Sequence, residues 1–224
     1  MLASAARFEG VAASTRAGVE PELTIAIDPL VPTGPLINSL RALSETFPNL
    51  PVHFSTEGLG GSLRRLRDGS AAFALCLLLP GVPEDIAAYP LLRVSMRAVV
   101  SPGHPLALLG RPATEGDLAP HIQLVLSDPV DPGGASYGLA GTRHWRFVDL
   151  GRRFDFLLAG FGWCRMPEHL VATSIVAEAL TAIEIHDDPT PPEGLKIYAA
   201  HRRDRALGVA GRWLRDELRR SLVS

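Results

Sequence analysis

The sequence predicts an α/β protein made of two lobes, and three observations lead to this fold class. The chain has 224 residues, which is long for one small core and suits two lobes of about 100 residues each. Between residues 22 and 79, strand-like and helix-like segments alternate with short connections, as in a parallel sheet covered by helices. The same alternation returns between residues 91 and 200, which predicts a second lobe of the same kind.

The first lobe opens with a strand and a helix. Residues 22–28 (ELTIAID) are mostly apolar or β-branched, which is typical of a buried parallel strand, and the segment stops at Pro29. The pattern predicts Thr33 as the N-cap of a helix with Pro35 in its first turn, where a missing N–H costs little. Apolar residues then follow at helical spacing until Pro48 ends the helix: Leu36, Leu40, Leu43 and Phe47.

Two more strands complete the predicted sheet of the first lobe. Residues 52–56 alternate between apolar and polar side chains, as a strand does. A glycine-rich turn leads to a short amphipathic helix that ends at Gly69, and residues 72–79 follow as a third, buried strand. This order of strands and helices with short connections predicts strands that run parallel.

The middle of the chain repeats the alternation. We predict one continuous strand over residues 91–101, which the sequence SPGHP then breaks. A helix is predicted over residues 150–159, and a second helix begins at Pro167, with Thr173 as the cap of a further short turn. Four more strands are predicted, over residues 121–127, 145–148, 161–166 and 182–185.

The C-terminal segment predicts a helix that returns to the first lobe. It follows a last strand at residues 195–200, and one of its faces is apolar: Leu207, Ala210, Leu214 and Leu218. Lobe I would then comprise residues 21–98 and 199–224, and lobe II residues 99–198. The Ala-rich residues 1–20 would be a tail or the end of a helix that enters the domain.

Charge and composition exclude several classes of function. The 22 basic residues face 24 acidic ones, so the chain lacks the basic excess with which an independent DNA-binding module neutralises phosphates. Two cysteines cannot form a disulfide framework, and no CxxC pair exists for zinc. The first 19 residues lack the apolar core of a secretory signal, and the longest apolar run, residues 71–80, is too short to span a bilayer. These observations predict a soluble cytoplasmic protein.

Three motifs, in this order, resemble the regulatory domain of LysR-type transcriptional regulators. They are the strand–helix unit that ends in Phe47-Pro48, the sequence SPGHPLA at residues 101–107, and LLAGFGWCRMPEHLV at residues 157–171. The resemblance covers residues 22–220 and implies two Rossmann-like lobes joined by crossover strands, the periplasmic-binding-protein-like (type 2) architecture. It also implies a small-molecule effector that controls transcription by the full-length protein, with no enzymatic reaction and no cofactor.

Proteins of this family carry an N-terminal winged helix-turn-helix, followed by a long linker helix through which they dimerise. Only residues 1–20 precede the first predicted strand, so the resemblance implies that DNA is contacted through a domain missing from this sequence. The pattern of residues 1–20 favours the interpretation that the sequence is a fragment that retains the end of the linker helix, rather than a stand-alone sensor. A homodimer, and a tetramer in the full-length protein, is also implied, with contacts at Leu36, Leu40, Arg41 and Phe156, although Leu36 and Leu40 are first interpreted as core residues.

The candidate effector contacts lie at strand ends and helix starts. Two α/β lobes leave a cleft lined by the carboxyl ends of strands and the N-termini of helices, whose free N–H groups suit an organic acid or another anion. This rule gives nine candidates: Thr33, Gly34, Ser62, Ser127, Asp128, Phe147, Trp163, Cys164 and Arg165. By resemblance, the regions of Thr33, Ser62, Ser127 and Phe147 match positions that line the effector cleft.

Several of these candidates also have a purely structural interpretation. Thr33 and Ser62 are of the residue types that cap helices, and Trp163 is of a type that packs in cores or between lobes. Arg165 can bind an effector carboxylate with two parallel hydrogen bonds, or it can pair with Asp149 or Glu168.

Other functions have weaker support. Redox sensing would need Cys164 to pair with Cys76, which lies in an apolar strand of the other lobe, where thiols are inert. The seven histidines are scattered, and the sequence has no HExxH, GxSxG, P-loop or dinucleotide fingerprint, so we predict no catalytic residue, metal or cofactor. The remaining alternatives are a solute-binding protein of a transport system, which should carry a secretion signal, and a small-molecule enzyme.

Overall fold

The computed structural model describes residues 18–128, 130, 138–140 and 142–222. The chain splits into two compact units, unit 1 up to Leu92 and from Lys196 onward, and unit 2 from Arg93 to Leu195. Each unit holds a five-stranded sheet with helices, so the predicted α/β class is confirmed. Most of the predicted linker remnant, residues 1–17, lies outside the described residues.

The described residues form the following strands and helices. The strands are β1 (Leu23–Ile27), β2 (Val52–Thr56), β3 (Phe73–Leu77), β4 (Ile86–Val94), β5 (Met96–Val100), β6 (Gln123–Leu126), β7 (His144–Phe147), β8 (Trp163–Pro167), β9 (Thr181–Ala182) and β10 (Leu195–Arg202). The α-helices are α1 (Thr33–Thr46), α2 (Gly61–Asp68), α3 (Glu115–Leu118), α4 (Leu150–Leu158), α5 (Glu168–Val176) and α6 (Val209–Leu222), and a 3-10 helix spans Pro105–Leu108.

The sheet of unit 1 has the strand order β2-β1-β3-β10-β4. β1 is parallel to both of its neighbours, with Ile27 opposite Thr56 on β2 and Ile25 opposite Phe73 on β3, whereas β10 is antiparallel to β3. The carboxyl ends of β1, β2 and β3 therefore share one edge of the sheet, and α1 and α2 begin in the segments that leave this edge.

The sheet of unit 2 has the strand order β7-β6-β8-β5-β9. β6 is parallel to β7 and β8, and β5 is antiparallel to β8 and β9. Gln123 lies opposite both His144 and Trp163, and Leu126 lies opposite Phe147. Residues 123, 144 and 163 thus mark the amino edge of these three parallel strands, and residues 126 and 147 mark the carboxyl edge.

The apolar faces predicted for the first and last helices are buried. Leu36 and Leu43 of α1 lie in the core, as do Ala210, Leu214 and Leu218 of α6, whereas Leu40 is half-buried. The two helices meet where the rings of Phe47 and Trp213 pack edge to face at 5.9 Å and where the hydroxyls of Ser39 and Ser221 lie 3.0 Å apart. Helical spacing of apolar side chains therefore predicted the packed faces of both helices.

The single strand predicted over residues 91–101 is wrong, because the structure has two strands that are interrupted at Ser95. The carbonyl of Ser95 accepts a hydrogen bond, at 2.9 Å, from the N–H of Glu168, which is the first residue of α5. Gly194 also packs so close to this point that a Cβ there would lie 2.7 Å from the Val94 carbonyl oxygen. The break follows from contacts with distant residues, which the local pattern did not contain.

Two smaller predictions in unit 2 are also corrected. Thr173 does not cap a separate turn, because it lies inside α5, where its carbonyl accepts a hydrogen bond from Ala177 N–H at 2.9 Å. The strand predicted at residues 182–185 is shorter, since β9 contains only Thr181 and Ala182. Beyond β9, Ile185 forms only an isolated bridge with Ala113.

Candidate functional site

The carboxyl edge of the sheet in unit 1 brings together the starts of α1 and α2. At this edge the N–H of Glu57 donates to the carbonyl of Ile27 at 3.0 Å, which holds the ends of β1 and β2 side by side. Thr33 and Gly34 are the first two residues of α1, and both are exposed. The predicted N-cap role of Thr33 is wrong: Pro32 occupies that position and provides no side-chain hydrogen bond.

The start of α1 has the features of an anion site. Its first turn contains no acidic residue and its N-cap side chain satisfies none of the free N–H groups. The unpaired N–H groups and the positive end of the helix dipole favour a negative charge. Asp28 precedes α1, and its Oδ1 accepts a hydrogen bond from the N–H of Leu30 at 2.9 Å rather than from the helix.

Ser62 is the second residue of α2 and is not a cap either. Gly60 is the N-cap, in a left-handed conformation with φ of 75°, and it provides no side chain. Ser62 is only 3% exposed, and its Oγ has no hydrogen-bond partner among the described residues. A buried hydroxyl without a partner is energetically costly, which makes this position a candidate for a polar contact.

Glu57 is a residue of this site that the sequence did not single out. Its carboxylate pairs with Nε of Arg65, and its side chain is 17% exposed. A Cβ at Gly61 would lie 2.9 Å from Oε2 of Glu57, so this carboxylate group lies against the first residue of α2. The sequence feature that could have identified Glu57 is its position, directly after a predicted strand and four residues before the start of a helix.

The carboxyl edge of the sheet in unit 2 brings together three predicted contacts. The N–H and the hydroxyl of Ser127 both donate to the carbonyl of Phe147, at 2.8 and 3.3 Å. Asp128 follows directly, and its Oδ1 accepts a hydrogen bond from Val130 N–H at 2.8 Å. Ser127 is buried, whereas Asp128 and Phe147 are half-buried.

An aromatic cluster extends from this edge. The ring of Phe147 lies 5.1 Å from that of Phe156, which lies 5.0 Å from Phe161, and Phe161 lies 5.4 Å from Trp145. Trp145 and Phe161 are 41% and 47% exposed. This edge of the sheet thus combines an apolar cluster at the end of β7 with the polar residues Ser127 and Asp128 at the end of β6, a combination that is typical of small-molecule sites.

Trp163 and Cys164 lie away from these residues. Because Trp163 is opposite Gln123, it belongs to the amino edge of the parallel strands, whereas Ser127 and Phe147 belong to the carboxyl edge. Trp163 is fully buried in a core cluster with Val100, Leu106, Ala113 and Leu118. The structure therefore separates Trp163 and Cys164 from the polar edge residues, and an effector contact at either one stays a prediction.

Arg165 is buried, and its ion pair differs from both predicted pairings. Its Nε donates to the carboxylate of Asp188, at 3.0 and 3.3 Å, and its Nη1 donates to the carbonyl of Gly138 at 2.6 Å. Neither predicted partner is used. Asp149 accepts a hydrogen bond from Arg152 N–H at the start of α4, and Glu168 pairs with Arg97.

The two cysteines are expected to be unreactive in the folded protein. Burial raises the pKa of the Cys76 thiol to about 12 and also raises the pKa of Cys164, so the nucleophilic thiolate is scarce. We expect a disulfide reagent such as dithionitrobenzoate to modify both thiols at least about 100-fold more slowly in the native protein than in denaturant. Rapid modification of one native thiol would contradict this prediction and return redox sensing to consideration.

In the described ranges, no three His, Cys, Asp or Glu side chains come close enough together to hold a metal ion. None of the helices in the same ranges is both long enough and apolar enough to cross a bilayer.

The order of the strands and the positions of the helix starts can be compared with known proteins. A family model described as the LysR substrate binding domain matches residues 16–223. The chain belongs to this family. The match covers nearly all of the chain, so the resemblance that was based on three motifs is confirmed for this domain. A search of curated protein sequences gave no significant match.

Solved structures of LysR regulatory domains are similar to this LysR substrate-binding domain. The regulatory domain of MetR from Neisseria meningitidis has a TM-score of 0.66 and 17% identity, with 89% of this chain and 93% of that chain covered. The effector-binding domain of QuiR, in complex with shikimate, has a TM-score of 0.65 and 15% identity, with coverages of 90% and 97%. The effector-binding domain of BenM, with its effector benzoate, has a TM-score of 0.64 and 20% identity, with coverages of 90% and 92%.

These likenesses establish the fold of the domain. The two mixed sheets with their helices match LysR effector-binding domains, so the predicted periplasmic-binding-protein-like (type 2) architecture is confirmed. The family consists of regulatory domains of transcription regulators that bind small-molecule effectors. Membership in it favours effector sensing over the solute-binding protein of a transport system.

Proposed function

We propose that this LysR substrate-binding domain senses an organic acid or another anion and thereby controls DNA binding by the full-length regulator. The observation that carries the proposal is the start of α1, where exposed residues, an N-cap without a side-chain bond and the lack of an acidic first-turn residue leave N–H groups available. The domains of QuiR and BenM, solved with shikimate and benzoate, support the proposal because both ligands are carboxylic acids.

The proposed contacts lie at the carboxyl edges of the two sheets. In unit 1 they are Thr33, Gly34 and Ser62, and in unit 2 they are Ser127, Asp128 and Phe147. Ser62 and Ser127 are both buried in this structure, and the hydroxyl of Ser127 donates to the carbonyl of Phe147. We leave Trp163, Cys164 and Arg165 out of the proposed set, because their side chains are packed among other residues of unit 2.

The proposed mechanism needs no chemical reaction. An effector that binds one arrangement of the domain better than another shifts the population toward it by its difference in affinity. The cleft between the lobes, the homodimer, the tetramer of the full-length protein, the cytoplasmic location and the lack of enzymatic activity stay predictions. Of the predicted dimer contacts, Leu36 is buried within unit 1, and Arg41 is exposed.

A thermal-shift screen with carboxylic acids and inorganic anions tests the proposed function. An acid at about 100 times its Kd should stabilise the domain by about 2.7 kcal/mol, and calorimetry then gives its affinity. In the variant Thr33→Val we expect about tenfold weaker binding, since one hydrogen bond is worth about 1 kcal/mol and more when it is made to a charged group. Thr46→Val, at the other end of α1, is the matched control and should bind like the wild type. If neither the carboxylic acids nor inorganic anions such as sulfate and phosphate stabilise the domain, the proposed ligand class is wrong; if both variants bind equally, only the Thr33 contact is wrong.

A further inference from the structure

The start of α2 differs from that of α1 in already holding a carboxylate of the chain itself. The Glu57 side chain lies against Gly61, and it is mostly buried and paired with Arg65. On the same turn, Nη2 of Arg64 lies 3.6 Å from the position that a Cβ of Gly61 would take. The start of α2 therefore holds one carboxylate and two guanidinium groups, with the hydroxyl of Ser62 next in the chain.

The Glu57 carboxylate disfavours direct contact with a ligand carboxylate. Like charges at short range repel, and this holds at the Glu57 oxygens even though the guanidinium groups of Arg64 and Arg65 also lie at this turn. A carboxylate also only accepts hydrogen bonds, whereas a hydroxyl both donates and accepts. A ligand hydroxyl can donate to Glu57 while it accepts from an N–H or O–H donor of the same turn.

The orphan hydroxyl of Ser62 is an independent indication that this turn needs a polar partner. It is buried and has no hydrogen-bond partner among the described residues, whereas buried polar groups in native proteins are almost always paired. Because β1 and β2 are neighbouring parallel strands, the starts of α1 and α2 leave the same edge of one sheet. One ligand can therefore present different groups to the two helix starts.

We propose that Glu57 determines specificity and that the effector is a hydroxylated carboxylic acid, with its carboxylate at the start of α1 and a hydroxyl at Glu57. This inference rests on the proposed function, because it assigns an orientation and a class to the same effector. It predicts that acids without a hydroxyl bind more weakly than acids of the same skeleton that carry one.

Two pairs of probes test the inference by calorimetry: benzoate with 3,4-dihydroxybenzoate, and cyclohexanecarboxylate with its 3,4,5-trihydroxy derivative. For wild type we expect the hydroxylated member of at least one pair to bind about tenfold or more tightly, as expected for a hydrogen bond to a charged group. In Glu57→Gln this preference should fall to about twofold, and the plain acid should bind more tightly than it does to wild type.

The variant Arg65→Gln is the matched control, because it breaks the same ion pair but keeps the Glu57 carboxylate. It should keep the preference for hydroxylated acids, so that a general loss of stability is distinguished from a loss of recognition. If plain acids bind wild type as tightly as hydroxylated ones, or if Glu57→Gln keeps the full preference, the inference is overturned while the proposed function stands. If none of the four acids binds, the inference is overturned, and the thermal-shift screen decides separately whether another acid or anion is the ligand.

Discussion

Replacing Arg165 with methionine is expected to lower the free energy of unfolding by about 3 kcal/mol, as when one partner of a buried ion pair is removed. The change leaves the carboxylate of Asp188 and the carbonyl of Gly138 without their guanidinium donors. The value is at the low end of the range for buried pairs because the Asp188 side chain is 29% exposed and keeps some contact with water. Urea unfolding at neutral pH measures it.

A double-mutant cycle with Asp188→Asn separates the ion pair from other effects of the substitution. The double variant should lose clearly less stability than the sum of the two single variants. Arg97→Met is the matched control, since the pair of Arg97 with Glu168 is exposed on both sides and contributes at most about 1 kcal/mol. An Arg165→Met variant as stable as Arg97→Met would show that the buried pair contributes no more than a surface pair.

Replacing Asp28 with asparagine is expected to change how stability depends on pH. Burial raises the pKa of Asp28 to about 6, against the opposing effect of its bond from Leu30 N–H. The folded protein thus holds this proton more tightly than the unfolded chain, and the wild type loses stability as the pH rises from about 4 to about 6. The asparagine variant keeps an oxygen acceptor but cannot ionise, so between pH 4 and neutral pH it should gain about 3 kcal/mol relative to wild type.

The matched control for Asp28 is an exposed acid whose pKa is shifted in the opposite direction. Hydrogen bonds from Arg67 lower the pKa of Asp85, so Asp85→Asn should lose stability relative to wild type as the pH rises. Guanidinium titrations at several pH values give both differences. If the difference between Asp28→Asn and wild type does not depend on pH, Asp28 has an ordinary pKa in the folded protein.

The sequence predicted most strands and all α-helices except the short α3, because their signals are local. Helical spacing of apolar residues predicted the buried faces of α1 and α6, and Pro48 marked the end of α1. The sequence pattern did not predict the interruption of the strand at Ser95, since the residues that contact this point, Glu168 and Gly194, are far away in the chain. Local pattern determines an element, whereas its exact length depends on what it packs against.

The candidate site was predicted in part, for a related reason. The rule that ligands bind beyond the carboxyl ends of parallel strands placed Thr33, Ser127 and Phe147 at such ends, and the structure has them there. The same rule grouped Trp163 with them, although β8 enters the sheet at Trp163 and leaves it at Pro167. The strand predicted over residues 161–166 already places Trp163 nearer the amino end than the carboxyl end.

The sequence by itself thus determined that the chain is a two-lobed α/β domain with the motifs of a LysR regulatory domain. Only the tertiary structure decided the partners of its charged groups. Arg165 pairs with Asp188 rather than with Asp149 or Glu168, and Glu57 lies on the first turn of α2 with Arg65 as its partner. The physical reason is that hydrophobic periodicity is set by neighbours within a few residues, whereas a buried charge finds its partner through strand register and loop packing that join distant parts of the chain.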